Sequence, residues 1–246
     1  RPGNKFRVSV TRMDQPVRYP NAPDGILAGV ADAVVLPGLM HGPAGGMLMY
    51  AGFVAERRGA TVHRLSWSRT PPESAAFLAP EIERWVCDQV SPRLDAVGGS
   101  PLLIAKSLGT NAATLAADRS LPAVWLTPIL TVPWVVTALR RSRAPFLLVG
   151  GTADEFWDGA LALELSPHVL EVEGANHGMF VPGPLVDSVG VLGRVVTAMS
   201  EFLDAIASHS HTARRDAEYA LARVDAAASA ASGPQAAAAQ RFSQQL

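Results

Sequence analysis

From about residue 30 to residue 205 the chain alternates short, almost continuously apolar runs with longer stretches of helical character. Ala33–Leu36, Thr61–Ser66, Leu102–Lys106, Ala123–Leu126, Pro145–Gly150 and His168–Val172 read as strands. A strand that is apolar at nearly every position must be covered on both faces, as strands of a parallel sheet are. Gly46–Arg58, closed by Gly59, with Pro80–Asp88 and Gly109–Asp118, supply helices between them. Strand and helix in alternation imply right-handed crossovers. The expectation is an α/β chain: a mostly parallel sheet of about six to seven strands with helices on both faces.

Composition narrows the class. Of 246 residues, 48% are apolar and 17% charged, enough for a sizeable core and too apolar for general disorder. A formal net charge of −1 argues against a nucleic-acid partner or a polybasic membrane contact. The single cysteine, Cys87, excludes an internal disulfide and a thiolate metal cluster, and no metal or cofactor is expected. No uninterrupted apolar run reaches membrane-spanning length. Arg1 to Arg12 lacks the apolar stretch of a signal peptide, so the cytoplasm is the expected compartment, although a chain opening on Arg1 leaves a removed leader open. Lys5 and Lys106 are the only lysines among 21 basic residues, a compositional mark of a GC-rich bacterial genome.

The ends differ from the middle. Residues 1–30 form an N-terminal extension in which Lys5–Val10 would add an edge strand. Residues 31–206 carry the α/β pattern, and residues 207–246 form an Ala-rich tail. Thr212–Ala231 has helical spacing and ends at Ser232-Gly233-Pro234. It is expected either to dock, which includes a homo-oligomer contact, or to fray.

The chemistry is expected where Leu102–Lys106 runs into Ala105-Lys106-Ser107-Leu108-Gly109. Small-x-Ser-x-Gly between a strand and a helix describes a nucleophile elbow, a sharp turn that lifts the serine hydroxyl above the carboxyl edge of the sheet. Small residues two before and two after the serine relieve the clash between strand and helix. A serine hydroxyl needs a base within hydrogen-bond reach, and imidazole, with an ordinary pKa of about 6.5, suits that task. Of the 6 histidines, His177 lies in a loop just after the last strand, at the same edge as Ser107. His41 is its rival, also following a strand at that edge. His63 reads as a packed or edge residue, His168 opens a strand at the wrong edge, and His209 and His211 fall outside the core pattern. The orienting acid should lie between serine and histidine. Asp154, shortly beyond Pro145–Gly150, is expected there, with Glu155 and Asp158 as nearby substitutes. The chain order is Ser107, Asp154, His177.

With these residues in place, the chain resembles a small serine α/β-hydrolase of the dienelactone-hydrolase-like and compact esterase branches. The resemblance rests on Val34-Val35-Leu36-Pro37-Gly38, Ala105-Lys106-Ser107-Leu108-Gly109, Gly150-Gly151-Thr152-Ala153-Asp154 and Gly174-Ala175-Asn176-His177-Gly178. It covers about residues 33–205 and implies the α/β-hydrolase fold and a serine triad, without specifying a substrate. Two departures stand out: Ala105 at the elbow, and Pro37-Gly38-Leu39 where many members carry His-Gly.

By the same logic an oxyanion hole takes its first donor from the Leu108 N–H and its second from Leu39, with Met40 as the one-residue alternative. Gly38 lets the backbone approach the substrate. The interval between Ser107 and Asp154 is filled by two helices and two strands, leaving no room for a cap domain. The site should therefore be open on one side, walled by Leu39, Met40, Trp134, Trp157, Met179 and Phe180. For each Met or aromatic the ordinary alternative is core packing, expected for half of them. Gly42-Pro43-Ala44-Gly45-Gly46 lacks the Lys-Ser/Thr ending of a phosphate loop. Cys87 reads as a buried structural thiol and Lys106 as a side chain pointing away from the site.

Three functions stay open: hydrolysis of a small-molecule carboxyl ester, thioester or lactone through an acyl-enzyme; a cyclase, lyase or acyltransferase using the same residues; and an inert-site protein acting through its tail.

Overall fold

The computed structural model describes residues 30–39, 42–68 and 79–208. Six segments pair as strands: β1 (Asp32–Leu36), β2 (Thr61–Arg64), β3 (Leu102–Lys106), β4 (Ala123–Leu126), β5 (Phe146–Gly151) and β6 (His168–Val172). They form one sheet in the order β2-β1-β3-β4-β5-β6, with every neighbouring pair parallel. The helices are α1 (Gly46–Glu56), α2 (Pro80–Val97), α3 (Ala113–Arg119), α4 (Pro133–Arg141), α5 (Gly159–Leu165) and α6 (185–208). The proposed edge strand at Lys5–Val10, the residues Met40 and His41, and the tail helix at Thr212–Ala231 lie outside the described residues.

Continuous apolarity follows from two packed layers. Ala33, Val35, Leu102, Ile104, Val124, Leu126, Leu147 and Val149 face α1 and α6, meeting Leu48, Val54, Val195, Met199 and Phe202. Their alternates Val34, Leu36, Leu103, Ala105, Ala123, Trp125, Phe146 and Leu148 face α2 to α5, meeting Ile82, Val86, Val90, Val135 and Leu139. Successive side chains of a strand point to opposite faces, so a sheet covered twice is apolar at every position.

Several boundaries differ from expectation. The helix from Pro80 does not stop at Asp88 but runs through Pro92 to Val97. Its buried stripe Ile82, Val86, Val90 and Leu94 continues past the proline, and that packing outweighs an interior Pro, which ordinarily costs about 3 kcal/mol. Gly98, at φ 71°, then ends it. Residues expected to be helical from Gly109 instead begin as a 3-10 turn over Ser107–Ala112, becoming α-helical only at Ala113. The sequence reading places no element over 185–208, where α6 covers one face of the sheet.

The strand order sets the position of the site. From β1 the chain moves outward to β2, then crosses the other face to β3 and proceeds the opposite way through β4, β5 and β6. The order reverses between β1 and β3, where Leu36 pairs with Ala105. In open parallel sheets a crevice forms outside the carboxyl ends at such a reversal. No helix among the described residues is long and apolar enough to cross a membrane.

One contact ties the sheet to the loop above it. A Cβ at Gly151, the last residue of β5, would strike the carbonyl of Ala175, two residues before His177. Backbone cannot yield as a side-chain tip can. Gly151→Ala should therefore destabilise the fold by roughly 1–3 kcal/mol in urea unfolding. Stability equal to wild type would show that this loop is loosely held.

Candidate active site

Ser107 takes φ 50°, a left-handed conformation uncommon for a residue with a Cβ. The kink turns the chain sharply from β3 into the 3-10 turn. Its tightness is measured at Gly109, where a Cβ would lie 3.0 Å from Leu36 Cβ and 3.1 Å from Leu36 O. Ala105 is fully buried on the opposite side of the turn, so the small residue there sits in a packed layer. Gly38 lies against the serine, and a Cβ on it would come to 3.5 Å of Ser107 Cβ.

His177 reaches Ser107 from the loop after β6. Its Nε2 is 2.8 Å from Ser107 Oγ, and its Nδ1 is 2.8 Å from Asp154 Oδ2. The Asp154 carboxylate is shielded from water, and its other oxygen accepts the Phe156 N–H at 3.0 Å. The serine, histidine and aspartate named from sequence are thus brought into one hydrogen-bonded row. Glu155 and Asp158 are not part of it: Glu155 is exposed, and Asp158 caps α5 by accepting the Leu161 N–H.

The loop holding His177 is shaped by its own side chains. Asn176 Oδ1 accepts the N–H groups of Gly178 and Phe180 at 2.9 and 3.1 Å. Thr152 Oγ1 accepts the Gly174 N–H, and Ala153 N–H donates to Ala175 O, lacing the turn of Asp154 to the loop of His177. Phe156 presents an edge contact to the imidazole, with ring centroids 5.1 Å apart.

A cleft of about 310 Å³ opens over Ser107. Gly38, Leu39, Met47, Leu48, Lys106, His177 and Phe180 line it, together with glycines at the start of α1. Leu39 and Phe180, at its rim, are 39% and 54% exposed. Leu108 N–H belongs to the first turn after the elbow, where N–H groups have no partner within the helix. Met47 and Leu48 are the lining residues that the sequence reading missed. Only the proximity of Gly45-Gly46 to the carboxyl end of β1 pointed toward them.

Three expected wall residues lie elsewhere. Trp134 donates its indole N–H to Asn111 Oδ1 and packs on the layer of α2 to α5. Trp157 covers Gly150, where any Cβ would strike its ring, and donates to Glu171. Met179 is buried in the layer with α6. Lys106, expected to point away, instead donates from Nζ to the carbonyl of His177 at 3.0 Å and to Thr127 Oγ1 at 2.9 Å. Burial lowers its pKa to about 8, against a smaller opposing pull from Asp154.

A larger hollow, about 740 Å³, lies at the opposite edge of the sheet, among Ser100, Arg143, Phe146 and His168. Among its described lining residues no nucleophile is paired with a base. His63 pairs with Asp32 at 2.8 Å, and His168 packs edge-on against Phe202.

No protein-family model matches the chain, and no curated relative does. Solved structures do resemble it. Est1E from Butyrivibrio proteoclasticus is 11% identical with a TM-score of 0.55, over 71% of this chain and 87% of that one. An alpha-beta serine hydrolase homologue from Coxiella burnetii is 16% identical with a TM-score of 0.53, over 79% and 99%. Mouse alpha/beta hydrolase domain-containing protein 10 is 14% identical with a TM-score of 0.52, over 74% and 92%. The chain has the α/β-hydrolase fold.

Cys87 is the other nucleophile to account for. Burial, aided by Glu83, Asp88 and Asp118, pushes its thiol up to about 12, and Sγ lies 3.7 Å from Asn111 O. The thiolate, the reactive form, is then scarce at neutral pH. Ellman's reagent should react slowly with native protein and release one equivalent on unfolding. Rapid reaction of the native thiol would contradict this.

Proposed function

We propose that the chain is a serine hydrolase that cleaves a carboxyl ester, thioester or lactone of a small molecule, like the dienelactone-hydrolase-like and compact esterases it resembles. The observation that carries this is the unbroken row from Ser107 Oγ through His177 to Asp154 beneath an open cleft. Ser107 Oγ attacks the acyl carbon and gives its proton to His177 Nε2. The tetrahedral oxyanion is held by the N–H groups of Leu108 and Leu39, and Met40, the alternative donor, lies outside the described residues. As the intermediate collapses, the proton passes from His177 to the leaving group. Water then attacks the acyl-enzyme, losing a proton to His177, and Ser107 regains a proton when the acid departs. Asp154 keeps its charge throughout and holds the imidazole tautomer.

Acyl transfer or cyclisation would have to keep water from the acyl-enzyme, and the rim residues Leu39 and Phe180, among those described, are both exposed.

Fluorophosphonate labelling should modify Ser107, and Ser107→Ala should abolish labelling and remove all but a residual ester turnover while circular dichroism stays native. Some rate would survive, roughly 10³–10⁴ over water in comparable triads. Labelling retained at another serine would remove the claim. Asp154→Asn should keep the shape but favour the wrong imidazole tautomer, lowering kcat by about 10⁴. An acyl-ester series of increasing chain length would then define the substrate class.

A further inference from the structure

We propose that Lys106 is the positioning residue for the base: its ammonium grips His177 by its own backbone carbonyl, so the charge on this side chain governs how the imidazole meets Ser107. The inference rests on the serine-hydrolase reading above and adds a residue to it.

Lys106 immediately precedes the serine, yet its Nζ reaches the carbonyl of a residue on the far loop and the hydroxyl of Thr127 just after β4. One side chain therefore joins the ends of β3 and β4 to the loop after β6. The second acceptor is held in an unusual way. Thr127 is fully buried, β-branched and at φ 43°, while its N–H donates to Val149 O at 2.7 Å. A β-branched residue in that region is a genuine outlier, and such strain gathers where a fold must aim a group. Met179, two residues beyond His177, is likewise left-handed at φ 62°. Three of the four left-handed non-glycine residues among those described, Ser107, Thr127 and Met179, thus surround this clasp.

The lysine is poorly explained as a stabilising element. The fold disfavours its charge through burial, and both atoms it contacts are neutral oxygens. A methionine would fill similar space without that charge. Perturbed titratable groups of this kind concentrate at functional sites.

Charge-assisted hydrogen bonds are about twice as strong as neutral ones. Loss of the proton leaves an amine that still donates, but with a weaker grip on His177. Among the described residues, the ionisable groups around it are Asp154, on the turn after β5, and His177 itself. Its register partner on β4 is Leu126, followed by the neutral Thr127, and β1 places Leu36 beside the preceding Ala105. With a pKa of about 8, the ammonium is present below that pH and lost above it, so the arrangement should loosen on the alkaline side.

The test is the rate of Ser107 labelling by a fluorophosphonate in the full-length chain, followed from about pH 6 to about pH 10. Wild type should show an alkaline decline near pH 8. Lys106→Met should label about 10²-fold more slowly at neutral pH, the cost of an imidazole misplaced by an ångström, with the probe's half-saturating concentration unchanged. Its alkaline decline should be gone. Equal labelling in Lys106→Met, or a decline that persists in it, overturns the proposal. If Lys106→Met does not fold, a wild-type profile with no alkaline decline overturns it alone. Failure of wild type to label at Ser107 at any pH would instead defeat the serine-hydrolase reading itself.

Discussion

The turn between β3 and the following helix is so tight that the chain must become left-handed at Ser107, and the carboxyl edge is built around that kink. Gly109 is required because the helix passes within van der Waals contact of Leu36 on the neighbouring strand. The helix cannot begin as a relaxed α-helix there, so it winds first as a 3-10 turn. The hydroxyl is lifted out of the sheet, and the reversal of strand order between β1 and β3 leaves space above it. A slacker turn would return Ser107 to the sheet edge.

The same economy of space recurs at β5 and β6. Gly151 lets the Ala175 carbonyl approach the strand end, and the hydrogen bonds of Thr152 and Ala153 fasten the turn of Asp154 to the loop of His177. Asp154 and His177 are thereby parts of one laced unit. Shielding the Asp154 carboxylate from water strengthens its hydrogen bond to the imidazole, while the Phe156 N–H occupies its remaining oxygen. Neither residue depends on a flexible side chain to find the other.

Much of this was legible in the sequence because it is local. Unbroken apolar runs mark doubly covered strands, and small residues around Ser107 mark the elbow. The order of acid and base follows from which loops lie at the carboxyl edge. What was illegible depends on partners distant in sequence. Nothing near Pro92 reveals that Val90 and Leu94 have a core to bury against, so the local pattern ends α2 too early. Trp134 and Trp157 sit at the right edge of the sheet, but Asn111 and Gly150 draw them away from the cleft. Met47 and Leu48 reach the cleft only because α1 starts beside it. Lys106 was read as pointing away because its principal acceptor, His177 O, lies on another loop.

Strain and rigidity are therefore arranged on different levels of the molecule. The central strands of the sheet beneath are mostly apolar on both faces and packed from two sides, with Val34, Leu103, Ile104, Val124 and Leu148 wholly buried. Such an interior resists small displacements, because its side chains already interdigitate at crystal-like density. The left-handed residues Ser107 and Thr127 stand at the ends of these strands, where that stiffness holds them against their backbone preferences. The cleft above is lined mainly by glycines, methionine, leucines and an exposed phenylalanine. On the proposed function, precision is needed where protons move, and the rigid sheet supplies it there. Adaptable apolar contacts are then left to the rim, where an acyl group of variable shape would be accommodated without disturbing the row beneath it.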